Sequence, residues 1–302
     1  MRASLGDHFR DFLSALEESP PVSIRINPAK IADHPGKQVP WSTFGRYLPE
    51  RPAFTLDPWL HGGAYYVQEA SSMFLEHALR QSVNLNQSVN ILDLCAAPGG
   101  KSTHLLSLMS KDSLLVSNEV IRSRAGILAE NIQKWGNPNV IVTSNDPAHF
   151  RRLTGFFDAI ILDAPCSGEG LFRKDPAALS QWSSKNVELC ELRQRRILHD
   201  VWAALKPGGT IIYSTCTYNE HENIGNMQWI KKEFDPDFIE LKIPASWKIE
   251  TLMREGAVGY QLYPHNVNGE GFFLSVIKKK EEAPHKNIKT KDTLKYPSKM
   301  QV

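Results

Sequence analysis

What most constrains this chain is a rhythm. From about residue 89, short apolar runs alternate with helix-like stretches: VNILDL (89–94), SLLVSN (113–118), NVIVTS (139–144), FDAIILD (157–163) and TIIYST (210–215). Runs of this length, bounded by turn residues and rich in Val, Ile and Leu, read as buried strands. Helices are predicted over about 101–110, 121–135 and 186–205, the last closed by KPGG, with another beginning near Glu220. GFFLSVIK (271–278) supplies a final strand. Strands alternating with helices predict an α/β fold with a doubly wound parallel sheet and right-handed crossovers.

The segment before this rhythm differs. Residues 1–62 are rich in Pro and turns (SPPVSIRINP, ADHPGKQVPW, LPERPAF) and read as one helix followed by short strands, a small α+β domain. A second domain is expected over 63–279. At the far end, residues 278–302 hold eight lysines against three acids, a net +5 that leaves residues 1–277 at −3. Residues 280–302 are polar with little apolar content and read as a basic, disordered tail or linker.

Whole-chain charge is only +2, which does not by itself announce a nucleic-acid binder. No apolar run is long enough to span a bilayer, and the N-terminus lacks the apolar core of a secretion signal. Cys95, Cys166, Cys190 and Cys216 are all at least 24 positions apart, so no C-x-x-C pair exists and neither a metal site nor a disulfide framework is expected. The thiols are expected to be reduced, in a cytoplasmic protein.

In open α/β sheets, ligands sit beyond the carboxyl ends of the strands. The residues just past each predicted strand are therefore informative: Cys95 through Lys101 after the first, Glu119 after the second, Asp146 after the third, Asp163-Ala164-Pro165-Cys166 after the fourth and Thr215-Cys216-Thr217 after the fifth. Acids and thiols at all five ends point to one crevice. The first loop, Cys95-Ala96-Ala97-Pro98-Gly99-Gly100-Lys101, lacks the G-x-G-x-x-G spacing of a dinucleotide site. It also has Cys95 where a P-loop needs its first Gly. Pro98 removes an amide that a phosphate nest would use, while Gly99 and Gly100 still permit close approach at a helix N-terminus. Glu119 is placed to accept from ribose hydroxyls and Asp146 from an adenine amino group. Together they suit a nucleoside without a phosphate tail, and S-adenosylmethionine answers that description.

Cys166 and Cys216 sit on small-residue turns beside Asp163. Two such thiols at one crevice suggest covalent catalysis. C5 of cytosine is a poor nucleophile until a thiolate adds to C6 and makes C5 enamine-like. A carboxyl such as Asp163 could relieve charge at N3. These residues alone do not say which cysteine attacks. Cys190 reads as a core residue of a helix, and Cys95 as lining the cofactor loop.

At this point the sequence resembles a known family. CAAPGGK (95–101), DAPCSGEG (163–170) and STCT (214–217), with SIRINP (23–28), YVQEASSM (66–73) and GFFLSVIKK near the end, look like signatures of the Nop/Sun RNA cytosine-C5 methyltransferases. The likeness covers roughly residues 20–280. It implies a Rossmann-like methyltransferase sheet and residues 95–101 as the cofactor loop. It puts Glu119 on the ribose, Asp146 near the adenine and Asp163 at the reacting end. It further implies Cys216 as nucleophile, Cys166 as an aid to product release and Lys101 near the reacting base. Within the family the chain looks like the bacterial RsmF-like group that modifies ribosomal RNA. Members of that group usually carry a further C-terminal RNA-binding region; the sequence stops soon after the lysine-rich segment, so either it is a short version or that region has been cut off. A transfer RNA substrate and a non-catalytic ribosome-assembly role are the alternatives.

A cytosine must leave its stack to reach a thiolate, so basic groups should hold a splayed strand. Arg25, Arg173, Lys174, Arg193, Arg195 and Arg196 are the candidates, with a solvated helix face the plainer reading of the last three. The partner expected is ribosomal RNA, bound by a monomer.

Overall fold

The computed structural model describes residues 5–281. Most of the lysine-rich segment, and with it the expected tail, lies outside the described residues. The chain opens with helix α1 (Phe9–Glu17), followed by strands β1 (Val22–Ile26), β2 (Lys37–Gln38), β3 (Gly45–Leu48) and β4 (Tyr65–Val67). These four strands form an antiparallel sheet in the order β2-β3-β1-β4. The fourth strand thus comes from past residue 62. Helix α2 (Leu75–Ser82) then leads into a larger sheet.

The larger sheet alternates strand and helix: β5 (Asn90–Asp93), α3 (Gly100–Leu108), β6 (Leu114–Asn118), α4 (Arg122–Trp135), β7 (Val140–Thr143), β8 (Phe157–Asp163), α5 (Ser184–Val201), β9 (Leu205–Thr215) and α6 (Ile224–Phe234). Four more strands complete it: β10 (Asp237–Phe238), β11 (Glu250–Arg254), β12 (Ala257–Leu262) and β13 (Phe272–Lys278). The order is β11-β12-β13-β9-β8-β5-β6-β7, with β10 paired to β13. Pairs from β9 to β7 are parallel, and β13 joins β9 antiparallel.

Central parallel strands need apolar residues on both faces. Along β5, β8 and β9, Ile91, Ala159, Ile161 and Ile212 enter one core with Leu79, Leu105 and Leu128 of α2, α3 and α4. Their neighbours Leu92, Ile160, Leu162 and Ile211 enter the other with Leu198 of α5 and Met227 of α6. The two-residue period of a strand therefore sorts consecutive side chains between two helical layers. This is the doubly wound, Rossmann-like architecture.

Two local expectations are corrected, and one hairpin went unread. The long helix ends at Val201, and KPGG lies inside β9. There the pairing jumps from Phe157↔Leu205 to Ala159↔Thr210, an irregularity accommodated by Gly208 at φ +73° and by hydrogen bonds that tie Gly208 and Gly209 to Lys279. The helix expected near Glu220 starts at Ile224; residues 219–223 form a turn that serves the site. The hairpin β11–β12 had no strong turn signal. Its Glu255-Gly256 corner, with both φ positive, fits a primed turn that usually reads Asn-Gly or Asp-Gly.

Candidate active site

A cleft of about 1030 Å³ lies over the carboxyl ends of the parallel strands. Leu94, Cys95 and Ala97 of the first loop line it, with Glu119 after β6, Pro147 after β7, Asp163 and Cys166 after β8, and Cys216 after β9. The side chains expected at the five strand ends thus converge, except that Asp146 turns aside. Its Oδ1 accepts from Ala148 N (3.0 Å) and its Oδ2 from Arg196 Nη2 (3.2 Å), while its neighbour Pro147 faces the cleft.

The first loop is held from several sides. Ala96 N donates to Asn118 O (2.8 Å), and Gly99 N donates to Ala96 O (2.8 Å). Gly99 stands at φ +111° as the N-cap of α3, a conformation that favours glycine. Pro98 O accepts from Asn131 Nδ2 (2.8 Å), and Gly100 O accepts from Arg25 Nη2 (3.1 Å). Beneath the loop, buried Asp93 accepts from Ser102 Oγ (2.6 Å), and burial raises its carboxyl to about 7. Burial, with Asp93, Asp163 and Glu119 nearby, also pushes the Cys95 thiol up, so Cys95 stays protonated. Glu119 is almost wholly buried. Its Oε1 accepts from Ile121 N (3.0 Å), and its Oε2 lies 3.5 Å from Arg124 Nη1.

At the other end, Lys101 Nζ meets Asp163 Oδ2 at 2.6 Å, and Ser214 Oγ donates to Asp163 Oδ1 (2.8 Å). The Lys101 ammonium also stands 5.1 Å from the centre of the Phe272 ring. Cys166 Sγ and Cys216 Sγ are 3.2 Å apart as free thiols. Cys216 is exposed to the cleft, whereas its contact with Cys166, together with burial, pushes the Cys166 thiol well up. Cys166 therefore favours its protonated form.

The two cysteine turns are joined in three places. Ser167 Oγ and Thr217 Oγ1 share a hydrogen bond (3.1 Å), Gly170 N donates to Cys216 O (2.7 Å), and Tyr218 N donates to Glu169 Oε2 (3.0 Å). Glu169, Gln194 and Glu222 were not singled out from the sequence. Gln194 carried a usable signal: it sits in a helical stripe with Val187, Cys190, Ile197, Leu198 and Val201, all buried. A polar residue in such a stripe needs a partner.

Two candidate RNA contacts are corrected. Arg25 is 0% exposed. Its guanidinium bonds Gln68 Oε1, Gly100 O, Thr103 O and Oγ1, and Ser107 Oγ, and lies 4.5 Å from the Trp135 ring. Arg173, its side chain 5% exposed, donates to Glu18 O, Ser19 O and Gly269 O. Both are structural anchors. Lys174 is half-exposed and paired with Glu270 at 2.6 Å. Arg193 and Arg196 line the cleft, while Arg195 turns to Glu191 and Asn226.

The fold and the strand-end cleft define a Rossmann-like methyltransferase. Residues 81–278 match the family described as 16S rRNA methyltransferase RsmB/F, and residues 1–70 match the N-terminal domain of 16S rRNA methyltransferase RsmF. The chain belongs to the RsmB/F family. It is 36% identical over 297 residues to the ribosomal RNA small subunit methyltransferase F of Escherichia coli O9:H4 strain HS, covering 91% of this chain and 60% of that protein. It thus spans about 60% of the length of the curated relatives it matches. Among solved structures, a methyltransferase homologue from Pyrococcus horikoshii is 29% identical with a TM-score of 0.76, covering 91% of each chain. NSun6 from Pyrococcus horikoshii, solved with SFG, shares the fold at 20% identity and a TM-score of 0.76, covering 93% of this chain and 98% of that one.

The family is S-adenosylmethionine-dependent, and the residues present fit that nucleoside. Glu119, a buried carboxylate just past β6, lines the cleft, which continues from there to the thiols of Cys166 and Cys216, and Pro98 leaves the loop beside it one amide short of a phosphate nest. Among the described residues, no cluster of His, Cys, Asp or Glu is arranged to hold a metal ion, and no helix is long and apolar enough to cross a membrane.

Proposed function

We propose that this chain methylates C5 of a cytosine in small-subunit ribosomal RNA through a covalent adduct between Cys216 and C6. The observation that carries the reading is the pair of thiols 3.2 Å apart, one exposed to the cleft and one held protonated, beside the Lys101–Asp163 ion pair. Methylation of an amine or oxygen needs no covalent activation and would leave that pair without a task. Bound in the cleft, S-adenosylmethionine supplies an electrophilic methyl group.

Cys216, as thiolate, adds to C6, and the ring electrons it displaces make C5 nucleophilic. The thiolate is the reactive form, and Cys166 S–H is placed to donate to it. Lys101 and Asp163, locked together and by Ser214, are a fixed charge pair for the polar edge of the base. After methyl transfer the C5 proton passes to water in the open cleft, its bonding pair re-forms the C5–C6 double bond, and the C6–S bond breaks with its electron pair returning to Cys216. Arg193 and Arg196 at the cleft wall are the cations proposed for the RNA backbone, in a monomeric cytoplasmic enzyme.

The test uses labelled methyl donor and small-subunit RNA. Cys216→Ala should abolish transfer. Cys166→Ala should accumulate a covalent RNA–protein adduct, seen as a retarded band on a denaturing gel. An adduct in Cys216→Ala and none in Cys166→Ala would exchange the two roles. Normal transfer by Cys216→Ala would remove the covalent mechanism altogether.

A further inference from the structure

A carboxylate behind the Cys166 turn has no task in the reaction so far described. Glu222 is fully buried. Its Oε2 accepts from Ser167 N (2.9 Å) and from Gln194 Nε2 (2.9 Å). Gln194, equally buried, donates from the same nitrogen to Pro165 O at 2.9 Å. The backbone groups on either side of Cys166 are therefore both held by one pair of side chains. That pair is braced in turn. Asn226 Nδ2 donates to Gln194 Oε1 (2.7 Å) and to the Glu222 carbonyl (3.2 Å), which also accepts the Tyr213 hydroxyl (2.7 Å).

A neutral side chain could brace a turn as well, and a buried charge is costly. Burial does push the Glu222 carboxyl up, and among the described residues its Oε1 has no hydrogen-bond partner. Buried polar atoms are nearly always satisfied, so an exception needs a reason. The Cys216 contact and burial do most to hold Cys166 in its protonated form, and negative charge at Glu222, behind the same turn, adds to them.

We propose that Glu222, acting with Gln194, is a positioning residue for Cys166. It fixes the turn that sets the two sulfurs face to face, and it keeps Cys166 as the hydrogen-bond donor to the departing sulfur of Cys216. The inference rests on the covalent mechanism above and adds a residue to its release step. As the C6–S bond breaks, its electron pair returns to Cys216 Sγ, Cys166 S–H donates to that sulfur without transferring its proton, and the C5 proton passes to water in the open cleft.

The experiment compares Glu222→Ala, Glu222→Gln and Cys166→Ala in the full chain, with labelled S-adenosylmethionine and small-subunit RNA. Glu222→Ala should accumulate the covalent adduct and resolve it on the order of 100-fold more slowly, the scale expected of a misplaced reacting group. Its calorimetric affinity for S-adenosylmethionine should be unchanged. Glu222→Gln keeps an acceptor for Ser167 N and should recover release. Without the charge, Cys166 loses its proton more readily, so the alkaline fall in release should move to lower pH. Parent-like release by Glu222→Ala would overturn the proposal. If that variant fails to bind the donor, the glutamine variant decides alone, and an unmoved pH limb overturns the proposal. Absence of an adduct in Cys166→Ala itself would instead remove the underlying role of Cys166.

Discussion

His104 of α3 and Glu76 of α2 meet in the core, and their geometry predicts how the protein responds to acid. His104 Nε2 lies 3.1 Å from Glu76 Oε2, and both side chains are buried. Burial holds the His104 imidazole down, to about 4, so the ring is neutral at pH 7 and donates Nε2–H. Burial pushes Glu76 up, but hydrogen bonds from His104, Thr43 and Ser42 outweigh it and bring the carboxyl to about 2. Both folded values are depressed, so both groups contribute stability that fades as pH falls. For His104 the window runs from about 6.5 to about 4, and for Glu76 from about 4.5 to about 2. Urea midpoints measured at pH 7 and pH 5 should fall for the parent and fall less for His104→Gln. An equal fall in both would assign the acid response to other groups. Single residues were also where the sequence misled. Arg25 in SIRINP read as a surface cation because Arg seldom lies in a core, and nothing local tells of Trp135 and the carbonyls that receive it.

At the scale of elements, strands were legible and the joints between them were not. β8 matches FDAIILD residue for residue, because an uninterrupted apolar run bounded by turns leaves little latitude. The antiparallel strands β11 and β12 were missed, since β11 (ETLMR) mixes charged and apolar residues, β12 (AVGYQL) is interrupted by Gly259 and Gln261, and the corner uses Glu-Gly. The cysteine turns could be placed after their strands from sequence. Their mutual stitching could not, since it depends on how β8 and β9 lie side by side. That stitching is tight at Gly170, where a Cβ would come 2.3 Å from Cys216 O. Gly170→Ala must move the Cys216 turn or break the Gly170 N–Cys216 O bond. It should lower the single-turnover rate of methyl transfer by about 100-fold while the donor still binds. A parent-like rate would mean that the turn relaxes freely and that its geometry does not govern the chemistry.

For the whole molecule, the N-terminal sheet is fastened to the methyltransferase sheet by a charge. Arg25 leaves β1 and directs its guanidinium to Gly100 O, Thr103 and Ser107 of α3, the helix whose first turn also carries Lys101 to Asp163. Asn27 adds bonds to Gly63 O and Trp135 O, both at 2.9 Å. Composition and periodicity set residues 1–62 apart from the rest, but gave no hint that β4 (Tyr65–Val67) joins the N-terminal sheet or that a buried arginine ties that sheet to α3. Truncating such a group leaves a cavity and strips partners from buried acceptors, so Arg25→Ala should cost about 3–5 kcal/mol in urea unfolding. Arg25→Met restores bulk without charge and should recover part of that loss. Because α3 is the helix being held, Arg25→Ala should also weaken S-adenosylmethionine binding by calorimetry, with Arg25→Met intermediate. A variant that loses stability yet binds the donor as the parent does would make Arg25 a fastener of two domains and nothing more. Parallel losses of stability and donor affinity would make the N-terminal sheet part of the cofactor site's support.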